Sequence, residues 1–340
     1  MPQQKSIKVL AIDGGGIRGI VPAVILSELR NRLHADLHTV FDLISGTSTG
    51  GIIALGVGTA CNDGEPCTPE HLLELYVQNG PAIFKQHWLT GLVQVFRPKY
   101  SPRPLEEILG EFFHETEFSA ALTPLLIPSY DLQGQSPFFF KSHRIAADPT
   151  YNWLVRQVAR ATSAAPTFFP PLRLLRGQEY ALADGGVFVN NPSMAAYAEA
   201  RQIYPEASQI VVVSVGTGDR KDCITYPDAK TWGLLKWANQ IAPVFMDSVS
   251  EAVDYELEHL PGCTYIRLQL PNLAPASPLM DDVTTGNLMN LQIAARKYIA
   301  ASSATLDQTC EILKEGRGAN LPGIGLPVAA KAITTTTTRH

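Results

Sequence analysis

Twice near the start of the chain, an apolar run breaks into a cluster of glycines and then resumes with helical spacing. The first unit is "IKVLAI", Ile7 to Ile12, followed by "DGGGIRG" and by Ile20 to Leu33, with apolar residues at Ile20, Val24, Leu26, Leu29 and Leu33. The second is "VFDLIS", then "GTSTG", then "GIIALGVGTA". A strand apolar at nearly every position is buried on both faces, which happens where helices cover both sides of a parallel sheet. Two consecutive strand–loop–helix units therefore predict an α/β fold with parallel strands.

The remaining chain continues the pattern. Helices are expected over Pro69 to Asn79 and across "RPLEEILGEFFHE". "LLIPSYDL" and "PFFFKS" predict a hairpin around "QGQ", and "NWLVRQVARATSAAP" a helix that stops near Pro166. "EYALADGG" predicts a short strand ending in Asp-Gly-Gly. "NPSMAAYAEARQIY" predicts a helix with Pro192 near its start, where the missing N–H costs little. "QIVVVSVGTG" is the clearest buried strand. A helix from about Thr231 to Leu260 is expected to break or kink near Pro243, followed by a strand "TYIRLQL" and a helix over Thr284 to Ala301. Residues 62–122 read as a cap or insertion, and no repeat or linker marks a second domain. Residues 307–340 read as a C-terminal extension whose tail, "AKAITTTTTRH", is frayed.

The chain of 340 residues has room for one large α/β domain or two ordinary ones. A net charge of -5 argues against a general nucleic-acid-binding surface. The N-terminus has no cleavable signal pattern, and the apolar runs fall short of the roughly 20 residues a membrane span needs. The expectation is a soluble cytoplasmic protein. The cysteines Cys61, Cys67, Cys223, Cys263 and Cys310 are odd in number and lack metal-type spacing, so free thiols are expected, with a Cys61–Cys67 disulfide as the alternative.

Three constellations carry chemistry. The first is Gly14-Gly15-Gly16-Ile17-Arg18-Gly19, between strand and helix. Its spacing fits a dinucleotide-binding loop, but the anion Asp13, Arg18 within the loop and a hydroxyl-rich end to the next strand oppose that reading. The alternatives are an oxyanion hole, in which bent backbone aims several N–H groups at one point, and a plain turn. The second is Gly46-Thr47-Ser48-Thr49-Gly50, a G-x-S-x-G that would expose Ser48 on a sharp strand-to-helix turn. The third is Asp184-Gly185-Gly186, a turn or a carboxylate able to take the serine proton. A triad in this chain order would place histidine after the acid, where only His259 and His340 stand. His259 lies near a helix end, which suits a cation for reasons unrelated to catalysis. A Ser–Asp pair is therefore favoured.

Together, "DGGGIRG", "GTSTG" and "DGG", in this order, resemble the motif set of the patatin-like phospholipase family. "SAAPTFFPP", "NNP", "VVVSVGTG" and "DYEL" resemble it as well, so the likeness covers roughly Lys8 to Leu306, with a domain expected over residues 7–306. The resemblance implies a three-layer α/β/α sandwich with a mainly parallel sheet. It implies Ser48 as nucleophile, Asp184 as base, and Gly14, Gly15, Gly16 and Arg18 at the oxyanion hole, with Gly19, Gly46, Gly50, Gly185 and Gly186 shaping the motifs. It implies hydrolysis of acyl esters of phospholipids or other acyl lipids at a membrane interface, of the phospholipase A or lysophospholipase type, with no metal and no cofactor. The alternative it leaves open is the same hydrolase held inactive until a partner or small nucleotide binds, as a membrane-degrading effector of bacterial antiphage defence. A homo-oligomer is also left open. The segment Phe84 to Phe96, with Trp88 and Leu92, is a candidate lid or membrane contact, or an ordinary cap helix.

Overall fold

The computed structural model describes residues 6–60, 64–85, 97–219 and 224–315. Its strands are β1 (Ser6–Ile12), β2 (Leu43–Gly46), β3 (Leu125–Asp131), β4 (Ser136–Lys141), β5 (Leu172–Arg176), β6 (Gln178–Asp184), β7 (Gln209–Val215) and β8 (Cys263–Leu268). They form one sheet in the order β5-β6-β3-β2-β1-β7-β8, with β4 added beside β3. The strands β3, β2, β1, β7 and β8 pair in parallel, and β4, β6 and β5 add antiparallel pairs at one end.

The helices are α1 (Ile20–Leu33), α2 (Leu37–Val40), α3 (Thr49–Gly58), α4 (Pro69–Ile83), α5 (Arg103–Phe113), α6 (Val155–Thr162), α7 (Ser193–Ile203), α8 (Tyr226–Ala229), α9 (Leu234–Glu258), α10 (Thr285–Ala301) and α11 (Ser303–Lys314). They lie on both faces of the sheet. The alternation within β1 shows how: Leu10 and Ile12 belong to the larger core with α1, α3 and α10, while Ile7 and Val9 pack with Ala196 and Ala200 of α7. Every residue of β1 and β2 is buried, which is why neither strand alternates apolar with polar. The same holds for α3, buried at all positions and apolar all round.

Register places the site. Ile12 of β1 pairs with Gly46 of β2 and with Val215 of β7, so the loops after all three strands leave the sheet at one level. Ile44 and Ser45 of β2 flank β3 at Leu125 and Leu126, and β6 joins β3 from Ser129 onward, running the opposite way. The C-terminal ends of β2 and β6 therefore meet, and these are the ends that carry Ser48 and Asp184.

Several elements differ from the sequence reading. The long helix α9 is continuous from Leu234 to Glu258, so it does not break at Pro243. Strand β5 escaped notice because only Leu174 of its five residues is buried. Within 62–122, α4 packs against α1, and α5 against α6, with Leu72, Leu75, Leu105 and Leu109 buried in the main core. Helix α11 straddles residue 306, and Leu306, Cys310, Ile312 and Leu313 join that core, so the packed chain reaches beyond the expected boundary. Trp88 and Leu92 of the candidate lid lie outside the described residues, as do Cys61, Cys223 and the Thr-rich tail. Cys263 and Cys310 are free thiols. No helix among the described residues is long and apolar enough to cross a membrane.

Candidate active site

Ser48 stands between β2 and α3 with φ 55° and ψ −121°, a conformation that costs a non-glycine residue about 1–3 kcal/mol. The surroundings hold it there. A side-chain carbon on Gly46 would lie 2.0 Å from the Gly50 carbonyl oxygen, and one on Gly50 would lie 2.3 Å from that of Ile12, so only glycine lets the turn close this tightly. The Thr47 amide donates to the Ile12 carbonyl at 3.1 Å, and the Thr47 hydroxyl to the Val189 carbonyl at 2.8 Å. The Ser48 amide donates to Thr162 Oγ1 at 3.0 Å, whose own proton goes to the Pro128 carbonyl at 2.7 Å.

This turn aims the serine at the acid. Ser48 Oγ donates to Asp184 Oδ2 at 2.6 Å, and the Gly186 amide donates to Asp184 Oδ1 at 2.7 Å. Asp184 is 4% exposed. Burial pushes its carboxyl up to about 7, against the lowering effect of the hydrogen bonds from Ser48 and Gly186. Among the described residues, neither Ser48 nor Asp184 is hydrogen-bonded to a histidine. His259 sits at the C-terminal end of α9, the helix end its sequence context suggested, with Nδ1 2.7 Å from the Tyr255 carbonyl oxygen.

The glycine loop passes beside the serine. A side-chain carbon on Gly14 would stand 3.3 Å from Ser48 Cβ. The structure divides the candidate oxyanion donors. The Gly14 amide donates to the Asn190 carbonyl at 3.1 Å, the Ile17 amide to that of Met280 at 2.8 Å, and the Arg18 amide to that of Gly15 at 3.2 Å. The Arg18 guanidinium, 4% exposed, donates to the carbonyls of Gly15 and Gly218. Gly14 and Arg18 are thus occupied in bracing the loop. Among the described residues, the amides of Gly15 and Gly16 donate to no protein acceptor. Gly16 has φ 60°, and a side-chain carbon there would fall 2.3 Å from the Met280 carbonyl oxygen. Gly19 packs close to Thr49 and Gly185 close to the Pro128 carbonyl, so both are needed for approach of backbone to neighbour.

Beneath the loop lies a network that sequence reasoning missed. Asp13 does not face the loop mouth, where an anion would oppose a pyrophosphate. Its carboxylate turns away and takes two bonds from Arg267 of β8, at 3.0 and 2.6 Å. Arg267 also donates to Ser214 Oγ at 2.8 Å and lies 3.5 Å from Asp254 of α9. Asp254 accepts from Asn191 at 2.9 Å and from the Tyr265 hydroxyl at 2.5 Å. Burial opposes charge on Arg267, but the Asp13 carboxylate outweighs it and holds the guanidinium protonated. Thr217 Oγ1 adds a bond to the Gly14 carbonyl at 3.1 Å. A single charged residue, Arg267, in the strand "TYIRLQL" was the available signal.

The sequence model for the patatin-like phospholipase family matches residues 10–197, the span holding the glycine loop, Ser48 and Asp184. The chain belongs to the patatin-like phospholipase family. Relatives at this level include "Patatin-like protein 2" of Oryza sativa subsp. indica, 30% identical over 84% of this chain and 82% of that protein. "Patatin-like protein 4" of Arabidopsis thaliana is 30% identical over 86% and 83%, and "Patatin group J-1" of Solanum tuberosum 30% identical over 84% and 81%. Among solved structures, human GIVD cytosolic phospholipase A2 aligns with 90% of this chain and 60% of its own, at 11% identity and a TM-score of 0.43. The patatin-like fold assignment accords with the mainly parallel sheet between two helical layers.

Proposed function

We propose that this patatin-like protein hydrolyses fatty-acyl esters of phospholipids, with Ser48 as nucleophile and Asp184 as general base. The observation that carries the reading is the 2.6 Å bond from Ser48 Oγ to a buried carboxylate. An exposed aspartate, with a pKa of about 3.9, is a poor base for a serine hydroxyl. One shifted by burial to about 7 is matched to neutral pH. Asp184 takes the Ser48 proton as Oγ attacks the ester carbonyl. The amides of Gly15 and Gly16 hold the oxyanion, each such donor contributing roughly 2.7–4 kcal/mol in comparable sites. Collapse breaks the ester C–O bond, the proton passes to the departing lysophospholipid oxygen, and water then hydrolyses the acyl-enzyme.

A lipid surface as the place of action is supported by α9. Its side chains Trp237, Ile241, Phe245 and Val249 recur every fourth residue and are all exposed. Met246 of the same helix reaches the Asp184 turn, its Cε 3.6 Å from where a side-chain carbon of Gly186 would stand. Met246 is the chain neighbour of the exposed Phe245, which connects the ridge to the Asp184 turn.

The test is mass spectrometry of the products from mixed-chain phospholipid at pH 5 to 9. The expected products are free fatty acid and lysophospholipid. On a soluble ester, kcat/KM should fall about tenfold per pH unit below pH 7, because Asp184 must be ionised to accept the proton. Release of head group instead of fatty acid, or an acid limb near pH 4, would contradict the proposal.

A further inference from the structure

The reaction as proposed uses Ser48, Asp184 and the glycine amides. It leaves Asn190 without a task. Asn190 follows Asp184 by one tight turn and is 8% exposed. Its carbonyl accepts from the Gly14 amide, which fixes the residue between the glycine loop and the acid turn. Its side-chain oxygen Oδ1 is shielded from solvent and accepts from no protein donor. Such a group costs about 1–3 kcal/mol unless a donor reaches it.

Two reference points locate that oxygen. The position a Gly14 side-chain carbon would take lies 2.5 Å from Asn190 Oδ1 and 3.3 Å from Ser48 Cβ. The position a Gly186 side-chain carbon would take lies 3.1 Å from Asp184 Oδ1 and 3.4 Å from Asn190 Oδ1. Two acceptors, one of them the base, therefore flank the position a side chain at 186 would take, with Met246 Cε 3.6 Å from the same point, and the glycine leaves that position unfilled. An anion or a carbonyl cannot satisfy two acceptors. A molecule with two O–H bonds can.

We propose that Asn190 Oδ1 holds the water that hydrolyses the acyl-enzyme, a step that rests on the Ser48–Asp184 reading. Water directs one O–H to Asp184 and the other to Asn190, which leaves a lone pair for the acyl carbonyl carbon. As the new C–O bond forms, Asp184 takes the first proton and the carbonyl electron pair moves onto the oxyanion. Collapse breaks the bond to Ser48 Oγ, which recovers its proton from Asp184, and the fatty acid departs. The second proton stays on the transferred oxygen throughout. Acylation needs no water, so Asn190 acts in the second half-reaction alone.

The experiment is pre-steady-state hydrolysis of a p-nitrophenyl ester by wild type, Asn190→Ala and Asn190→Leu, read alongside intact protein mass. In the variants, the nitrophenol burst per folded molecule is expected to persist with its rate constant within about threefold. Steady-state turnover should fall about 10²-fold, the loss expected when a reacting group is no longer held in place, and the acyl adduct should accumulate. Hydroxylamine, which brings its own nucleophile, should discharge that adduct. Should the Asn190→Ala and Asn190→Leu proteins fail to fold, Asn190→Ser, which stays polar but withdraws the acceptor, should give the same separation of rates. Equal losses of burst and turnover, or loss of turnover with no adduct, would overturn the assignment. A rise in KM with turnover intact would also overturn it, and would make Asn190 a contact for a substrate hydroxyl. Absence of any adduct in the wild type as well would defeat the Ser48 reading instead.

Discussion

Ser48→Ala is expected to lower fatty-acid release at least about 10³-fold, with stability changed by no more than about 1 kcal/mol. The large kinetic effect follows from the proposed covalent route: among the described residues no other hydroxyl donates to Asp184, and the acyl group has nowhere else to go. The small stability effect follows from the packing. The backbone of residue 48 is held by its own amide on Thr162 and by glycines at 46 and 50, none of which involves Oγ. Asp184 keeps its bond from the Gly186 amide when the serine hydroxyl is gone. Asp184→Asn should show a comparable kinetic loss. Its effect on stability has a pH signature. Because burial raises the Asp184 pKa from 3.8 to about 7, the folded state binds the proton more tightly than the unfolded chain does. Stability from that group is complete below pH 3.8 and is lost as pH rises toward 7. The asparagine variant, which stays neutral, should therefore be more stable than wild type at pH 8 and similar to it at pH 4, by thermal melts at both. A tenth or more of wild-type turnover in Ser48→Ala would sink the nucleophile assignment.

Arg267→Met is expected to destabilise the fold by about 3–5 kcal/mol near neutral pH, the usual result of leaving one member of a buried ion pair behind. Asp13 is 2% exposed, and both of its carboxylate oxygens depend on this guanidinium. The glycine loop begins at the next residue, so activity should fall together with stability. Urea unfolding measures the first effect. The double variant Asp13→Asn, Arg267→Met should recover most of the lost stability, since neither charge then remains buried alone. A loss under 1 kcal/mol in the single variant would show that the network does not support the loop.

Much of this was legible from the chain. The strands β1, β2 and β7 declared themselves because burial on both faces makes them apolar throughout, and their glycine-rich ends marked the sheet edge where loops gather. The turn that carries Ser48 was legible because a sharp strand-to-helix turn needs small neighbours at fixed spacing, and the Asp-Gly-Gly at 184–186 marked the end of a second strand. What stayed hidden were contacts between residues far apart in sequence. Arg267 meets Asp13 across 254 positions, and Thr162 supports Ser48 across 114, and nothing local to either marks the pairing. The division of labour within the glycine loop was hidden for the same reason. Whether an amide is spent depends on which carbonyl lies opposite, so Gly14 and Arg18 could not be told apart from Gly15 and Gly16 by motif. The edge strand β5 and the helix α11 were missed because one has a single buried side chain and the other is helix-forming sequence with no glycine or proline between it and α10.

The most direct test of the central claim is to label the protein with a fluorophosphonate and map the adduct by peptide mass spectrometry. The prediction is one adduct per molecule, on Ser48, forming more slowly below pH 7 and absent from Ser48→Ala. An adduct on any other residue, or none at all on folded protein, would contradict it.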